Sequence, residues 1–241
     1  MSSAAIVVQH VLVGFLTVVA PLWDRYEIPR LKSSTDPRKK IRFYAKIVAA
    51  SWACAIVAVL TAGFATVTRI HKTPGEIAWL DPGTRSGIFL EGLTAGILIV
   101  LILPAVFALW SEKIRTKAGK AARKLAFLLP STRAERRWWW LVCITAGISE
   151  EIVYRGFLLQ YFHGLPFHLR LTWALVGSSV IFGIGHLYQG LAGAVQTFVI
   201  GFLFGAIFLV TGNLLLPVVL HAFMDLRVLA LLPPGFETAE I

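Results

Sequence analysis

The sequence predicts an all-α protein, a multispanning transmembrane bundle of about seven to eight helices. Of its 241 residues, 57% are hydrophobic and only 15% are charged, whereas a soluble domain is about half apolar and about a quarter charged. The apolar residues are grouped into runs of about 20, the length that crosses the hydrocarbon core of a bilayer as a helix. These runs use up most of the chain, so we expect residues 1–241 to form a single membrane-embedded domain.

Seven apolar runs are the predicted spans, and splitting the longer runs would give eight. In chain order they cover approximately Ala4 to Trp23, Tyr44 to Thr68, Ile88 to Trp110, Trp138 to His163, Leu171 to Leu187, Leu191 to Val210 and Leu214 to Leu232. The fourth run opens with three consecutive tryptophans, which are typical of the headgroup level of a membrane.

Basic residues concentrate in the two main polar segments between the predicted spans. Eight of the 23 lie between Arg25 and Lys46, and nine more lie between Lys113 and Arg137. This distribution follows the positive-inside rule and predicts that both segments are cytoplasmic. It also favours contact with anionic lipid headgroups. The net charge of +10 is thereby explained without nucleic-acid binding.

The two basic segments have different predicted structures. The segment Asp24 to Arg42 contains Pro29 and Pro37 and is predicted to be a loop. In residues 111–137, basic and apolar residues alternate at helical spacing as far as Pro130. This pattern predicts an amphipathic helix on the membrane surface, with a solvated basic loop as the alternative.

Three charged residues, Glu150, Glu151 and Arg155, interrupt the fourth apolar run. Each would cost about 2.5 to 3.5 kcal/mol at the centre of a lipid-facing helix, so we expect them to face the interior of the bundle. Glu151 and Arg155 are four residues apart, with the acid first, which is the favoured order for a helical ion pair. Glu150 lies about 100° away around the helix, nearer the face of Tyr154. One arginine neutralises one carboxylate, so Glu150 is left as the candidate general base.

Polar residues on two other spans are predicted to lie at a similar depth. Glu150 is twelve residues past Trp138, about 18 Å from the cytoplasmic face, and His221 is eleven residues before Leu232, about 17 Å from it. Asp225 lies on the same helical stripe as His221. His186 is nominally shallower, unless its helix continues past Leu187. We therefore expect these side chains to converge in the cytoplasmic half of the bilayer.

These residues form three motifs in a fixed order, which are EExxxR (Glu150, Glu151, Arg155), FxxxH (Phe182, His186) and HxxxD (His221, Asp225). Their order and spacing resemble the CPBP or ABI family, which includes type II CAAX prenyl endopeptidases and bacteriocin-processing or immunity-related membrane proteins. The resemblance implies that residues 138–232 are a catalytic core. Residues 1–137 would supply N-terminal spans and basic cytoplasmic loops.

The resemblance implies an intramembrane endopeptidase that hydrolyses a peptide bond of a membrane-associated substrate with an activated water. Glu150 would be the general base, assisted by His186. Glu151 and Arg155 would orient it and balance its charge.

The last motif would stabilise the oxyanion through His221 and the residue at position 225. The family commonly has Asn at that position, and an ionised Asp cannot donate a hydrogen bond. Asp225 is therefore expected to be protonated, to orient His221 or to bind a metal.

The residue types at the predicted site do not decide whether it uses a metal cofactor. Two His and one carboxylate are a common catalytic zinc set, so Glu150, His186 and His221 are candidate ligands of a divalent metal such as Zn²⁺. Activation of water by Glu150 and His186 alone is the alternative that we favour.

The function also has alternatives, because buried Glu, His and Arg side chains are typical of transporters and proton relays. A non-catalytic immunity or scaffold protein is a third interpretation. As a peptidase, the chain would act on a prenylated protein or another membrane-anchored peptide. We expect it in a bacterial or archaeal plasma membrane. The sequence does not indicate an oligomeric state.

Overall fold

The computed structural model describes residues 3–34, 36–70, 76–81, 83–164 and 167–232. It is 85% helical, with no strand among the described residues, and it confirms the predicted all-α class. The nine helices of this part of the chain are α1 (Ser3–Lys32), α2 (Pro37–Ala62), α3 (Phe64–Thr68), α4 (Arg85–Ala108), α5 (Glu112–Ala122), α6 (residues 133–163), α7 (Leu171–Ile184), α8 (Leu191–Thr211) and α9 (Leu215–Leu231).

Four of these helices, α1, α2, α4 and α8, are long and apolar enough to cross a membrane. The remaining predicted spans are also helices, but α7 has only 14 residues and α9 only 17, short of the roughly 20 that a simple span needs. Helix α6 is long enough but carries charged residues along its length. The four long apolar helices support an integral membrane protein.

The predicted loop from Asp24 to Arg42 is wrong, because helices continue into it from both sides. Helix α1 runs through Pro29 to Lys32, and α2 already begins at Pro37. Basic residues near the end of α1 are favourable at the negative end of the helix dipole. Asp36 caps α2 by accepting a hydrogen bond from the Arg38 backbone N–H at 2.9 Å, and proline is well tolerated at a first helical position.

Two other helices begin or end at residues that differ from the predicted ones. The run from Tyr44 to Thr68 is broken at Gly63, which separates α2 from α3 with φ +91°, a value that favours glycine. The amphipathic helix predicted in residues 111–137 is confirmed only as α5, where the Ser111 side chain accepts from the Ile114 N–H at 3.4 Å.

Helix α6 is central and packs against α2, α3, α7 and α9. Its first turn is held by Glu135, which accepts hydrogen bonds from the Ser131 backbone at 2.8 Å and from Lys40 of α2 at 3.2 Å. Lys40 also donates to the Leu129 carbonyl at 2.9 Å. These buried contacts fix the point at which α6 enters the bundle.

Two glycines let neighbouring backbones approach α6 closely. A Cβ at Gly147 would lie 2.9 Å from the Ala222 Cβ on α9, and one at Gly156 would lie 2.1 Å from the Val67 carbonyl oxygen on α3. The Gly147 contact brings α9, which carries His221, against the part of α6 that carries Glu150 and Glu151. Neither contact has room for a side chain.

We predict that Gly156→Ala destabilises the protein by about 1–3 kcal/mol or more, because the added methyl group overlaps the backbone of α3. The matched control is Gly92→Ala on α4, where an added Cβ meets nothing within 4 Å. This control should be neutral or stabilising by up to about 1 kcal/mol, since Ala is the better helix former. Equilibrium unfolding in detergent measures both, and equal stabilities for the two variants would contradict the packing described here.

Candidate active site

The three charged residues of α6 lie where its backbone changes from α-helical to π-helical geometry. The α-helical part ends at Glu150, and the π-helical part covers Glu151–Leu158. Arg155 Nη1 lies 2.9 Å from Glu151 Oε1, and both side chains are almost completely buried, at 2% and 0% exposure. The ion pair predicted from the i, i+4 spacing is therefore confirmed. The π-helical segment was not predicted, although such segments are often found at functional sites.

Arg155 is packed among aromatic side chains. Its guanidinium carbon lies 4.2 Å from the ring centroid of Phe182 on α7 and 5.6 Å from that of Phe204 on α8. Gly201 on α8 leaves space for this arrangement, since a Cβ there would lie 2.8 Å from Phe182 and 3.5 Å from Arg155 Nη2. The aromatic faces stabilise the cation in a water-poor environment.

His221 on α9 joins this pair through Glu151. Its Nδ1–H donates to Glu151 Oε1 at 2.7 Å, because a carboxylate oxygen can only accept. The other ring nitrogen, Nε2, lies 3.8 Å from Glu150 Oε2 and 3.7 Å from Asp225 Oδ2. His221 therefore connects the buried ion pair to the two remaining acids of the site.

Glu150 faces a cavity of about 170 Å³. The walls come from α1, α2, α6 and the segment that follows α7, with Tyr154, His186 and Tyr188 among the lining residues. The Glu150 side chain is 21% exposed, and its Oε2 is buried without a hydrogen-bond partner among the described residues. Adjacent acids thus face different surroundings, with Glu150 at the cavity and Glu151 inside the protein.

His186 reaches the same cavity from beyond the end of α7. The helix stops at Ile184, so it does not continue past Leu187, and His186 lies in the turn that follows. Its Nδ1–H donates to the Phe182 carbonyl at 2.8 Å, which leaves Nε2 as the acceptor of the neutral ring. Its ring also packs on Phe182 at a centroid distance of 4.7 Å.

Asp225 is the most exposed of the predicted site residues, with 40% of its side chain accessible. It lies one helical turn from His221 on α9, as its position on the same stripe predicts, and it does not line the cavity. Glu150 and His186 thus line the cavity. The other three residues are buried next to Glu150 and do not line it, namely Glu151, Arg155 and His221. Asp225 contacts this set only beside His221.

Sequence reasoning missed the residues that the first two helices contribute. Asp24 of α1 and Cys54 of α2 line the cavity, as does Tyr188 after α7. Asp24 was assigned to a loop, and Cys54 lies in an apolar run without any motif. Tyr154 was the one neighbour that helical geometry indicated, because it follows Glu150 by four residues.

Glu150, His186 and His221 are the candidate metal ligands. Among the described residues, no group of three or more His, Cys, Asp or Glu side chains is arranged to hold a metal ion. His186 Nδ1 is bonded to the Phe182 carbonyl and His221 Nδ1 to Glu151, so a metal could bind these rings only through Nε2. A metal-ligand role for Glu150, His186 and His221 stays a prediction.

We predict that Arg155→Met destabilises the protein by about 3–5 kcal/mol, because it removes the arginine that is paired with the buried Glu151. The double variant Glu151→Gln/Arg155→Met removes both charges, while the Gln carbonyl can still accept the hydrogen bond of His221, and it should be more stable than Arg155→Met alone. Arg38→Met, at an exposed position on α2, should change the unfolding free energy by no more than about 0.5 kcal/mol. A double variant no more stable than the single one, in unfolding experiments in detergent, would show that the two charges do not act as a pair.

Comparison with known proteins agrees with the three motifs. Residues 133–227 match the family model described as "Type II CAAX prenyl endopeptidase Rce1-like". The match begins at the start of α6 and includes all six predicted site residues, whereas residues 1–132 lie outside it. No curated protein and no solved structure matches the chain. The matched region confirms the predicted resemblance and supports an intramembrane peptidase of the general CAAX-protease type.

Proposed function

We propose that the chain is an intramembrane endopeptidase that hydrolyses a peptide bond of a membrane-anchored substrate with a water activated by Glu150. The single observation that carries the proposal is the Glu150 carboxylate, whose Oε2 accepts no hydrogen bond from the described residues and which shares a cavity with His186. The cavity volume of about 170 Å³ holds several waters, since each occupies roughly 30 Å³ in the liquid.

Charge balance makes Glu150 the base rather than its neighbour. Glu151 is shared between Arg155 and His221, so its negative charge is already compensated. When His221 is protonated, the two cations balance two of the three carboxylates at the site. Asp225 does not line the cavity, so Glu150 is the carboxylate that is placed to accept a proton from a water there.

His186 assists by holding the attacking water. Its Nδ1–H is occupied by the Phe182 carbonyl, so Nε2 is the nitrogen available to accept a hydrogen bond from the water or a proton during the reaction. A histidine fixed in one tautomer by a backbone carbonyl is well suited to this role. Proton transfer by such positioned side chains contributes about 100- to 10,000-fold to a rate.

His221 is the proposed donor to the oxyanion. It does not line the cavity, so the oxyanion must form beside Glu150, whose Oε2 lies 3.8 Å from His221 Nε2. Glu151 fixes its ring through Nδ1, and a proton on Nε2 then points toward the region between Glu150 and Asp225. Asp225 Oδ2 lies 3.7 Å from that Nε2, beyond hydrogen-bond distance. An ionised Asp225 would therefore act on a protonated His221 through its charge, and it cannot itself donate to the oxyanion. Donors held in place before the reaction are among the largest contributors to transition-state stabilisation.

The family match and the cavity both support a membrane-associated substrate. The CAAX-protease match points to a membrane-associated, prenylated protein in general, and apolar side chains of α1 and α2 such as Phe15, Leu16 and Ile47 line the cavity beside Glu150. These walls fit an apolar peptide or lipid-modified segment that enters from the bilayer. By the positive-inside rule, the site belongs to the cytoplasmic half of the membrane.

Glu150→Gln is expected to lower the cleavage rate by about 100- to 10,000-fold, because the amide cannot accept the proton of the water. The assay uses purified full-length protein in liposomes with prenylated and unprenylated membrane-anchored peptides, with cleavage read by mass spectrometry. Glu91→Gln, at an exposed glutamate of α4, is the matched control and should cleave like wild type. Unchanged cleavage by Glu150→Gln would refute its role as base.

Cys54 allows a test of where the substrate binds. It is half-buried and lines the cavity, whereas Cys143 is fully buried and does not. A small methanethiosulfonate reagent should therefore inhibit cleavage by the wild-type protein and leave Cys54→Ser active. Equal inhibition of both proteins would show that the reagent acts elsewhere and that this cavity is not the substrate site.

A further inference from the structure

A second cavity lies between the end of α1 and the start of α2, on the basic part of both helices. It has a volume of about 440 Å³. We call it the basic groove, because its charged lining consists of four cations and one acid, Arg30, Lys39, Arg42, Lys46 and Glu27. Four positive charges minus one negative charge give a net charge of +3 around one concave surface.

The protein itself neutralises little of this charge. Glu27 pairs with Lys46 at 3.1 Å, and the Arg30 guanidinium lies over the Tyr26 ring at 3.5 Å from its centroid. The side chains of Lys39 and Arg42 make no hydrogen bond or ion pair within the described part of the chain. Lys40, the next basic residue of α2, is buried against Glu135 and does not line the groove.

Without a bound anion, the cluster of cations on α2 is electrostatically unfavourable. Lys39, Arg42 and Lys46 follow one another at spacings of three and four residues, which places like charges on one face of α2. Lys39 also lies in the first turn of that helix, where the helix dipole disfavours cations. A bound phosphate would relieve both effects, because its oxygens accept charge-assisted hydrogen bonds from several Lys and Arg side chains at once.

We infer that the basic groove binds the phosphate of an anionic phospholipid headgroup. The groove lies at the charged end of α1, which follows the apolar part of that helix, and its lining also includes the buried apolar side chains of Leu31 and Phe43. A lining that combines cations with apolar side chains fits an amphiphile better than a free soluble anion. Basic segments next to a span attract anionic lipids in this way.

The basic groove is separate from the candidate active site, but the two cavities share part of their lining. Phe43 lines both cavities, while Glu150 and His186 line only the inner one. A lipid bound across α1 and α2 would hold together the two helices that close the active-site cavity. Binding of a phospholipid headgroup in the basic groove does not depend on the proposed peptidase activity.

The test is native mass spectrometry of the full-length protein in detergent, titrated with phosphatidylglycerol and separately with phosphatidylcholine. Wild type should retain one phosphatidylglycerol more tightly than any phosphatidylcholine. Lys39→Gln/Arg42→Gln should weaken that binding about 30-fold, as expected for two lost cations near a lipid surface. The matched control Lys113→Gln/Lys117→Gln removes two exposed cations of α5 and should stay within about twofold of wild type.

Three results would overturn the inference. Equal weakening in both double variants would show diffuse attraction to the whole basic surface. If wild type binds phosphatidylglycerol no more tightly than phosphatidylcholine, the groove is not a site for an anionic headgroup. Displacement of the lipid by inorganic phosphate would assign the groove to a soluble phosphate instead. Glu27→Gln removes the only acid in the lining and should tighten phosphatidylglycerol binding, a gain that misfolding cannot produce.

Discussion

One buried oxygen, Glu151 Oε1, holds the site together. It lies 2.9 Å from Arg155 Nη1 within α6 and accepts the hydrogen bond of His221 from α9 at 2.7 Å. A carboxylate without these partners would be very costly at 0% exposure. The fold therefore has to bring α9 against α6, and Gly147 provides the space for it. The position of His221 relative to Glu150 follows from that contact.

Two adjacent acids have opposite surroundings at the point where α6 changes from α- to π-helical geometry. Glu150 ends the α-helical part and faces the cavity, while Glu151 begins the π-helical part and is buried. In this segment the close contact of Gly156 with α3 and the hydrogen bond from Ser178 of α7 to the Tyr154 carbonyl hold the backbone from two sides. An irregular helix is stable at this depth because neighbouring protein covers it.

The spacing of residues along the sequence predicted the contacts within one helix. The contacts between helices depend on tertiary packing and could not be predicted in this way. The Glu151–Arg155 pair and the different face of Glu150 follow from helical periodicity. The bond between His221 and Glu151 joins residues 70 positions apart and depends on the close packing at Gly147. His186 was expected near the end of the span from Leu171 to Leu187, but α7 ends at Ile184 and a turn places the ring. Asp24 and Cys54 carry no motif, so only the packing of α1 and α2 reveals them.

The region that matches the family model and the preceding helices α1 and α2 contribute different kinds of side chain to the candidate active site. The ionisable set around Glu150, Glu151 and His221 lies within the region that matches the family model, residues 133–227. The opposite wall comes from α1 and α2, outside the match, and is mostly apolar apart from Asp24, Ser51 and Cys54. Reacting groups need fixed positions, whereas a wall that only has to fit a substrate can vary in shape and polarity. For the proposed peptidase, substrate preference should therefore be determined mainly by α1 and α2, the helices whose charged ends also form the basic groove.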